Sequence, residues 1–135
     1  MPSYQTRDPI ANARRPLVES VYCFVENNYS APISLRDVAD AVGYSASHLT
    51  DTFRRCTGTP VTAWIIERRI RAAATLLREA GTDVVTAYES AGFRDLGYFT
   101  RQFVRHVGMT PARYRRAMFA AEPAICHKEN TLWKI

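Results

Sequence analysis

The segment Val61–Arg78, VTAWIIERRIRAAATLLR, contains no Gly or Pro and is rich in Ala, Leu, Ile and Arg, residues that a helix accepts or favours. Pro60 precedes it, where a missing N–H costs little, and Gly81 follows it, where a C-terminal cap is expected. Its apolar residues recur at helical spacing, namely Trp64, Ile65, Ala72, Ala73, Leu76 and Leu77. The segment therefore predicts one long helix, and the rest of the chain is arranged around it.

Two helices are predicted between the N-terminus and the turn at Gly43. The first begins at Pro16 and runs through LVESVYCFVENNY, whose apolar residues form one face. Pro32 then breaks the chain. Ser34 is a good N-cap with Asp37 in capping-box position, which predicts a short amphipathic helix that ends at Gly43.

A more polar helix follows the turn at Gly43. Ser45 is expected to cap it and Gly58 to end it, with Leu49 and Phe53 facing inward, four residues apart. Its opposite face carries polar side chains, namely Ser47, Thr50, Asp51 and Arg54. Two helices joined by a short Gly turn, the second with a polar outer face, are typical of a helix-turn-helix, whose second helix enters the major groove of DNA.

The pattern is repeated after the long helix. Thr82 or Asp83 is expected to cap a helix, Gly92 to form the turn, and Asp95 to cap a second helix that ends at Gly108. Outward positions of that second helix are Leu96, Gly97, Thr100, Arg101 and Val104. A final helix is expected from Thr110-Pro111.

The two copies align with one extra residue in each of two turns. Matching residues are Gly43 with Gly92, Leu49 with Phe99, Phe53 with Phe103, Gly58 with Gly108 and Pro60 with Pro111. Internal repetition is typical of a duplicated structural unit, and two copies are too few for a solenoid. The sequence predicts an all-α fold in which two helix-turn-helix subdomains are joined by the long central helix. The expected divisions are a flexible arm (1–15), the first subdomain (16–59), the linker helix (60–80), the second subdomain (81–120) and a C-terminal tail (121–135).

Composition favours an anionic partner. The net charge is +5 and the pI about 9.4, and 16 of the 18 basic residues are Arg, whose planar fork suits phosphates and base edges. Codon bias in a GC-rich genome is an equally good explanation of the excess of Arg over Lys, but it does not explain the net positive charge. No apolar run approaches membrane-spanning length, and the N-terminus has no apolar core typical of a secretory signal.

The three cysteines indicate a reducing compartment rather than a disulfide framework. Cys23, Cys56 and Cys126 are an odd number, lie far apart and include no CxxC pair. Cys126-His127 lacks partners at zinc-finger spacing, so no metal or other cofactor is expected. We expect a cytoplasmic protein.

From about Leu17 to Met118 the chain resembles the AraC/XylS family of bacterial transcription regulators. The resemblance rests on three segments, ISLRDVADAVGYSASHLTDTFRRCTGTP, RIRAAATLL and AGFRDLGYFTRQFVRHVGMTPARYRR. The last is the most specific, because G-F, Y-F-T-R-Q-F and G-x-T-P-x-x-Y-R are close to the family signature. The resemblance implies about seven helices and two recognition helices in successive major grooves, about 34 Å apart.

The resemblance also implies how such a protein works. A monomer would read a non-palindromic double-stranded DNA site, because its two recognition helices differ in sequence. As in most of the family, we expect an activator that contacts RNA polymerase and associates with the nucleoid. Most members carry a sensor or dimerisation domain ahead of this one, which leaves two alternatives, a stand-alone regulator or a DNA-binding fragment of a larger effector-sensing regulator. No small-molecule site is evident in the sequence.

In the first recognition helix the family's base-contacting positions correspond to Ser47, Thr50 and Asp51. The family often has Arg at the position of Asp51. Asp cannot bind guanine O6 and N7, but it can accept from cytosine N4, and it repels phosphate. The first helix is therefore expected either to be weak or to read a cytosine. An intrahelical pair of Asp51 with Arg54 or Arg55 is an equally good explanation.

In the second recognition helix the corresponding positions are Leu96, Gly97, Thr100 and Arg101. Arg101 is the strongest candidate for a base contact, to guanine, with a phosphate contact as its alternative. Leu96 would touch a thymine methyl, and Gly97 would let the backbone come close. Phosphate candidates, each of which is otherwise a solvated charge, are His48, Arg54, Arg55, Arg94 and Arg105.

Other classes of function are less well supported. The histidines have no Cys or Ser partner in sequence, and neither a Gly-rich phosphate loop nor metal spacing is present, so an enzyme is not expected. The second alternative is a protein-interaction module or anti-activator of the same fold. Asp51 and the Trp133 tail are compatible with this alternative. It predicts negligible DNA affinity at physiological salt, whereas the DNA-binding hypothesis predicts affinity that falls steeply with salt.

Overall fold

The computed structural model describes residues 9 to 120, and the side chains of residues 16 to 119. The described residues form seven α-helices and no strand, as the sequence predicts. In chain order they are α1 (Pro9–Asn28), α2 (Leu35–Val42), α3 (Ala46–Thr57), α4 (Val61–Leu77), α5 (Val84–Ser90), α6 (Leu96–Val107) and α7 (Pro111–Ala120). The predicted C-terminal tail, 121–135, lies outside the described residues.

The start of α1 differs from the sequence prediction. The helix begins at Pro9 and keeps Pro16 inside it, so it includes part of the expected arm. A proline inside a helix lacks one backbone hydrogen bond, which is why Pro16 indicates a start rather than an interior position. Pro9 suits the first helical position, and the following segment, ANARR, consists mainly of helix-favouring residues. Residues 1–8 of the expected arm lie outside the described residues.

The chain divides into two compact units within α4, between Arg68 and Arg69. The first unit contains α1, α2, α3 and the start of α4. Its core is formed by Leu17, Val21, Val25, Val38, Ala39, Leu49, Phe53, Val61 and Ile65, each at most 4% exposed. Every helix of this unit therefore contributes apolar side chains to one core, which fixes the orientation of α3 within the unit.

An ion pair ties α4 to α1 within the first unit. The Arg68 guanidinium donates from Nε to Glu26 Oε1 at 2.7 Å and from Nη2 to Oε2 at 2.8 Å. The guanidinium also lies over the Tyr29 ring, 4.4 Å from its centroid. The hydrogen bond to Glu26 raises the pKa of Arg68, while burial opposes that rise. The pair is two-pronged, and this geometry is the stronger form of an Arg–carboxylate contact.

The second unit contains the rest of α4 together with α5, α6 and α7. Aromatic rings form its centre, since Phe99 lies 5.0 Å from Phe93 and 5.5 Å from Phe103, and Phe103 lies 5.4 Å from Tyr114, between ring centroids. Arg78 Nε donates to the Tyr114 hydroxyl at 3.2 Å. Tyr114 is thus a buried packing residue.

The turns between the paired helices confirm the repeat. Gly43 adopts a left-handed conformation with φ 81°, which favours glycine. Immediately after it Tyr44 N donates to Ala39 O at 3.0 Å, and at the equivalent place in the second copy Phe93 N donates to Tyr88 O at 2.9 Å. The two copies therefore turn the chain in the same way between their short and recognition helices.

Candidate nucleic-acid interface

Helix α3 is anchored so that one face remains outside the core. The Ser45 hydroxyl accepts from His48 N at 3.1 Å, which confirms the predicted cap. Leu49 and Phe53 are completely buried and fix the rotation of the helix. We call the residues that this leaves on the outer side the α3 face: Ser47, His48, Thr50, Asp51 and Arg54, all exposed except the half-buried Thr50.

Asp51 pairs along its own helix. Arg55 Nη2 lies 3.0 Å from Asp51 Oδ2, one turn further on, and the two side chains are 59% and 58% exposed. Of the two intrahelical partners that the sequence allowed, Arg55 is the one used. Exposed pairs of this kind contribute about 0–1 kcal/mol, so the contact is weak enough to exchange for another partner.

Two further side chains of the α3 face have their polar groups oriented by local contacts. Thr50 Oγ1 donates to Ala46 O at 2.8 Å, so its hydroxyl is left as an acceptor and its methyl group points away from that bond. The His48 ring stacks on Tyr44, with centroids 4.7 Å apart and planes 4° from parallel. The stacking reduces the rotational freedom of His48, which is one of the predicted phosphate contacts.

Helix α6 repeats this construction in the second unit. Asp95 Oδ2 accepts from Tyr98 N at 2.6 Å, as predicted for the cap, and Phe99 and Phe103 are completely buried. We call the outward residues the α6 face: Leu96, Gly97, Thr100, Arg101 and Val104. Leu96 is 49% exposed, although it is a large apolar residue, so it is accessible for the thymine contact that was predicted for it.

Gly97 is crowded rather than conformationally special. Its backbone is helical and has no positive φ, so no strain requires glycine there. A Cβ added at Gly97 would lie 3.3 Å from Asp95 Oδ2 and 3.5 Å from Arg101 Nη1. The side chains of Asp95 and Arg101 therefore border the space that a larger residue at 97 would fill.

The predicted phosphate contacts are all accessible. Exposed arginines are found on or next to both recognition helices, namely Arg54, Arg55, Arg94 and Arg105. They lie in both compact units, so each recognition helix has basic neighbours of its own. Phosphate contacts of this kind position a protein on DNA without specifying a sequence.

One basic residue near α6 was missed by the sequence reasoning. Arg69, on α4, is half-buried, and burial lowers the pKa of its guanidinium, with the charge of Arg94 lowering it further and Tyr98 acting in the opposite direction. The positive charge of Arg94 therefore acts on the Arg69 guanidinium. Helical periodicity could not reveal this, because Arg69 and Arg94 belong to different elements.

The part of the chain that the structure describes contains neither a metal-binding cluster nor a helix that could cross a membrane. No group of three or more His, Cys, Asp or Glu side chains there is arranged so that it could hold a metal ion. None of the helices described is both long and apolar enough to cross a membrane. Cys23 and Cys56 are exposed free thiols.

Comparison with known proteins identifies the family. A family model described as "Helix-turn-helix domain", the helix-turn-helix of the AraC type, matches residues 38–117, which is more than half of the chain and includes both recognition helices. The chain belongs to the AraC/XylS family of transcription regulators. It is thus a helix-turn-helix DNA-binding regulator, and the resemblance found in the sequence is confirmed.

Individual AraC/XylS relatives agree with this assignment. The chain is 28% identical over 113 residues to the multiple antibiotic resistance protein MarA of Escherichia coli, covering 84% of this chain and 89% of MarA. It is 30% identical over 118 residues to the transcriptional activator RhaR of Klebsiella pneumoniae, covering 87% of this chain and 42% of RhaR. The DNA-binding domain of AdpA, solved in complex with a target DNA, superimposes with a TM-score of 0.71 at 28% identity, covering 78% of this chain and 94% of that one.

Proposed function

We propose that the chain activates transcription by binding one asymmetric double-stranded DNA site, with α3 and α6 in successive major grooves. The observation that carries the proposal is the construction of the two recognition helices. Each is capped at its N-terminus, anchored by two fully buried residues, and left with an exposed outer face. A helix fixed in this way presents its outer side chains to a groove at little further entropic cost.

The two faces differ in chemistry, which supports an asymmetric site. The α3 face offers hydroxyls and a carboxylate, whereas the α6 face offers an apolar side chain, a glycine and the Arg101 guanidinium. We assign base contacts to Ser47, Thr50, Asp51, Leu96, Gly97, Thr100 and Arg101, and phosphate contacts to His48, Arg54, Arg55, Arg94 and Arg105. Two identical half-sites would be read by two identical helix faces. Because the α3 face and the α6 face differ, we propose that a monomer binds a non-palindromic site.

Activation, RNA polymerase contact and a cytoplasmic, nucleoid-associated location belong to the same proposal. They are supported by membership of a family of transcription regulators and by the activator RhaR among the relatives. Membership of a family of transcription regulators also supports the absence of enzymatic activity. A reporter assay tests activation, because a bound activator raises transcription from a promoter with the site beside it, and a repressor lowers it.

Selection of bound duplexes from a randomised library, repeated across a salt series, tests the DNA-binding part. We expect enrichment of one asymmetric motif with two conserved blocks about one helical turn apart. Affinity should fall steeply with salt, because phosphate contacts release counterions. Enrichment of a single block would mean that one helix alone specifies sequence. Failure to enrich any motif, with no salt-sensitive binding, would instead favour a protein-interaction module.

A further inference from the structure

Gly97 lies between two charged side chains, that of Asp95, the N-cap of α6, and that of Arg101. The space above its Cα is bordered by Asp95 Oδ2, 3.3 Å from the Cβ that any other residue would carry, and by Arg101 Nη1, 3.5 Å from it. Arg101 is one turn beyond Gly97, and helical side chains lean towards the N-terminus of their helix. The guanidinium thus lies back along α6 towards the cap.

The Asp95 carboxylate is itself held in place. Its Oδ2 accepts from Tyr98 N at 2.6 Å. Its second oxygen, Oδ1, accepts no hydrogen bond from any residue between 16 and 119, so it retains capacity for a donor. Among residues 16 to 119 the structure shows no ion pair between Asp95 and Arg101.

We propose that Asp95 is a positioning residue for Arg101, and that Gly97 keeps open the space in which the two meet. On DNA, one edge of the guanidinium donates to guanine O6 and N7, and a remaining N–H donates to Asp95 Oδ1. The carboxylate thereby restricts an otherwise mobile side chain to the orientation that a two-pronged guanine contact requires. The inference rests on the proposed base contact of Arg101.

The first copy of the repeat provides an internal comparison. When Leu49 is aligned with Phe99, Ser45 corresponds to Asp95, Ser47 to Gly97 and Asp51 to Arg101. That helix has a neutral cap and an acidic residue at the Arg101 position, and its Asp51 pairs forward with Arg55 instead. The arrangement of a carboxylate cap, a glycine and an arginine is thus found in α6 and not in α3, so the two recognition helices discriminate bases by different means.

The test compares two duplexes, the selected site and the same site with the guanine assigned to Arg101 replaced by adenine. Arg101→Ala should reduce discrimination between them by about fivefold to 150-fold. Asp95→Asn keeps a good N-cap, since Asn caps as well as Asp, but it removes the charge. We expect Asp95→Asn to reduce discrimination on the order of three- to tenfold, a part of the Arg101 effect. In the Arg101→Ala background it should reduce discrimination no further.

Gly97→Ala gives a second readout that a purely structural role would not produce. Alanine favours a helix more than glycine does, which offsets the cost of displacing one neighbouring side chain, so thermal stability should change little. We nevertheless expect discrimination at the same base to fall, because the new methyl group displaces the Asp95 carboxylate or the guanidinium. Ser47→Ala, the matched change in α3, should leave discrimination at this base unchanged.

The outcomes separate this inference from the proposed function. If Asp95→Asn weakens binding to both duplexes equally, or adds fully to Arg101→Ala, Asp95 is only a helix cap and the inference is wrong. If Arg101→Ala itself leaves discrimination unchanged, the proposed base contact fails and the positioning role fails with it. Loss of discrimination in Asp95→Asn and Gly97→Ala, and not in Ser47→Ala, supports the inference.

Discussion

Arg55 Nη2 lies 3.0 Å from Asp51 Oδ2 on the outer side of the first recognition helix. The pair places an acidic group at a position where DNA would approach, and it partly neutralises that group. Because the pair is exposed, opening it costs little, and Asp51 can exchange Arg55 for a base or for water.

Asp51→Asn should reduce the preference for cytosine at one position of the first block, because the carboxylate that accepts from cytosine N4 is lost. It should also strengthen binding to other sequences, because it removes phosphate repulsion and releases Arg55 for a phosphate. One additional phosphate contact would steepen the dependence of log affinity on log salt by about 0.9. Fluorescence anisotropy across a salt series measures both quantities. Asp40→Asn, on α2, is the control for the change in net charge. Library selection with the variant measures the preference for cytosine, and an unchanged preference would contradict the base contact assigned to Asp51.

Arg101→Ala and Arg105→Ala should weaken binding in different ways. Loss of a two-pronged guanine contact costs about 1–3 kcal/mol at one base pair, so Arg101→Ala should relax one position of the motif selectively. Loss of a phosphate contact should weaken binding to all sequences and reduce the salt slope by about 0.9. Library selection with each variant distinguishes the two patterns. Uniform weakening by Arg101→Ala would mean that Arg101 contacts a phosphate.

Glu26→Gln should lower the free energy of unfolding of the first unit by about 1 kcal/mol, because it breaks a two-pronged pair that ties α1 to α4. Urea unfolding followed by Trp64 fluorescence measures the effect, in a Trp133→Phe background so that one tryptophan reports. Glu19→Gln, an exposed change on the same helix, is the control. Equal stability of the two variants would show that the pair contributes nothing measurable.

Asp83 should make the second unit sensitive to acid. Its hydrogen bonds with Thr86 hold the pKa of the carboxyl below its ordinary value of 3.8. A carboxyl whose pKa is lower in the folded state stabilises the protein above the unfolded pKa, and this contribution is lost as pH falls through the folded pKa. Asp83→Asn should retain the cap and lose that acid-dependent part, which urea unfolding at a series of acidic pH values measures. Identical pH profiles for both proteins would contradict the assignment.

Much of the fold could be predicted because the deciding signals are local. Ser34, Ser45 and Asp95 cap the helices that they were expected to cap, and Leu49 and Phe53 are buried where their spacing placed them. Each of these depends on residues within one helix and its first turn. The repeat then fixed the equivalent positions in the second copy.

Other features could not be predicted, because several arrangements satisfied the same local rules. Thr82 and Asp83 both suit an N-cap, and only the backbone shows that Asp83 is used. Arg54 and Arg55 are both within reach of Asp51 along a helix, and the choice between them depends on rotamers. The crowding at Gly97 depends on where two neighbouring side chains turn, which spacing does not determine.

The central claim is that two different recognition helices occupy successive major grooves of one site. Methylation interference on the selected duplex tests it most directly, because a methyl group on guanine N7 blocks contacts from the major groove only. We expect interference in two blocks about 10 base pairs apart, with interference at one guanine of the second block lost in Arg101→Ala. Interference confined to one block, or its absence from both, would contradict the account.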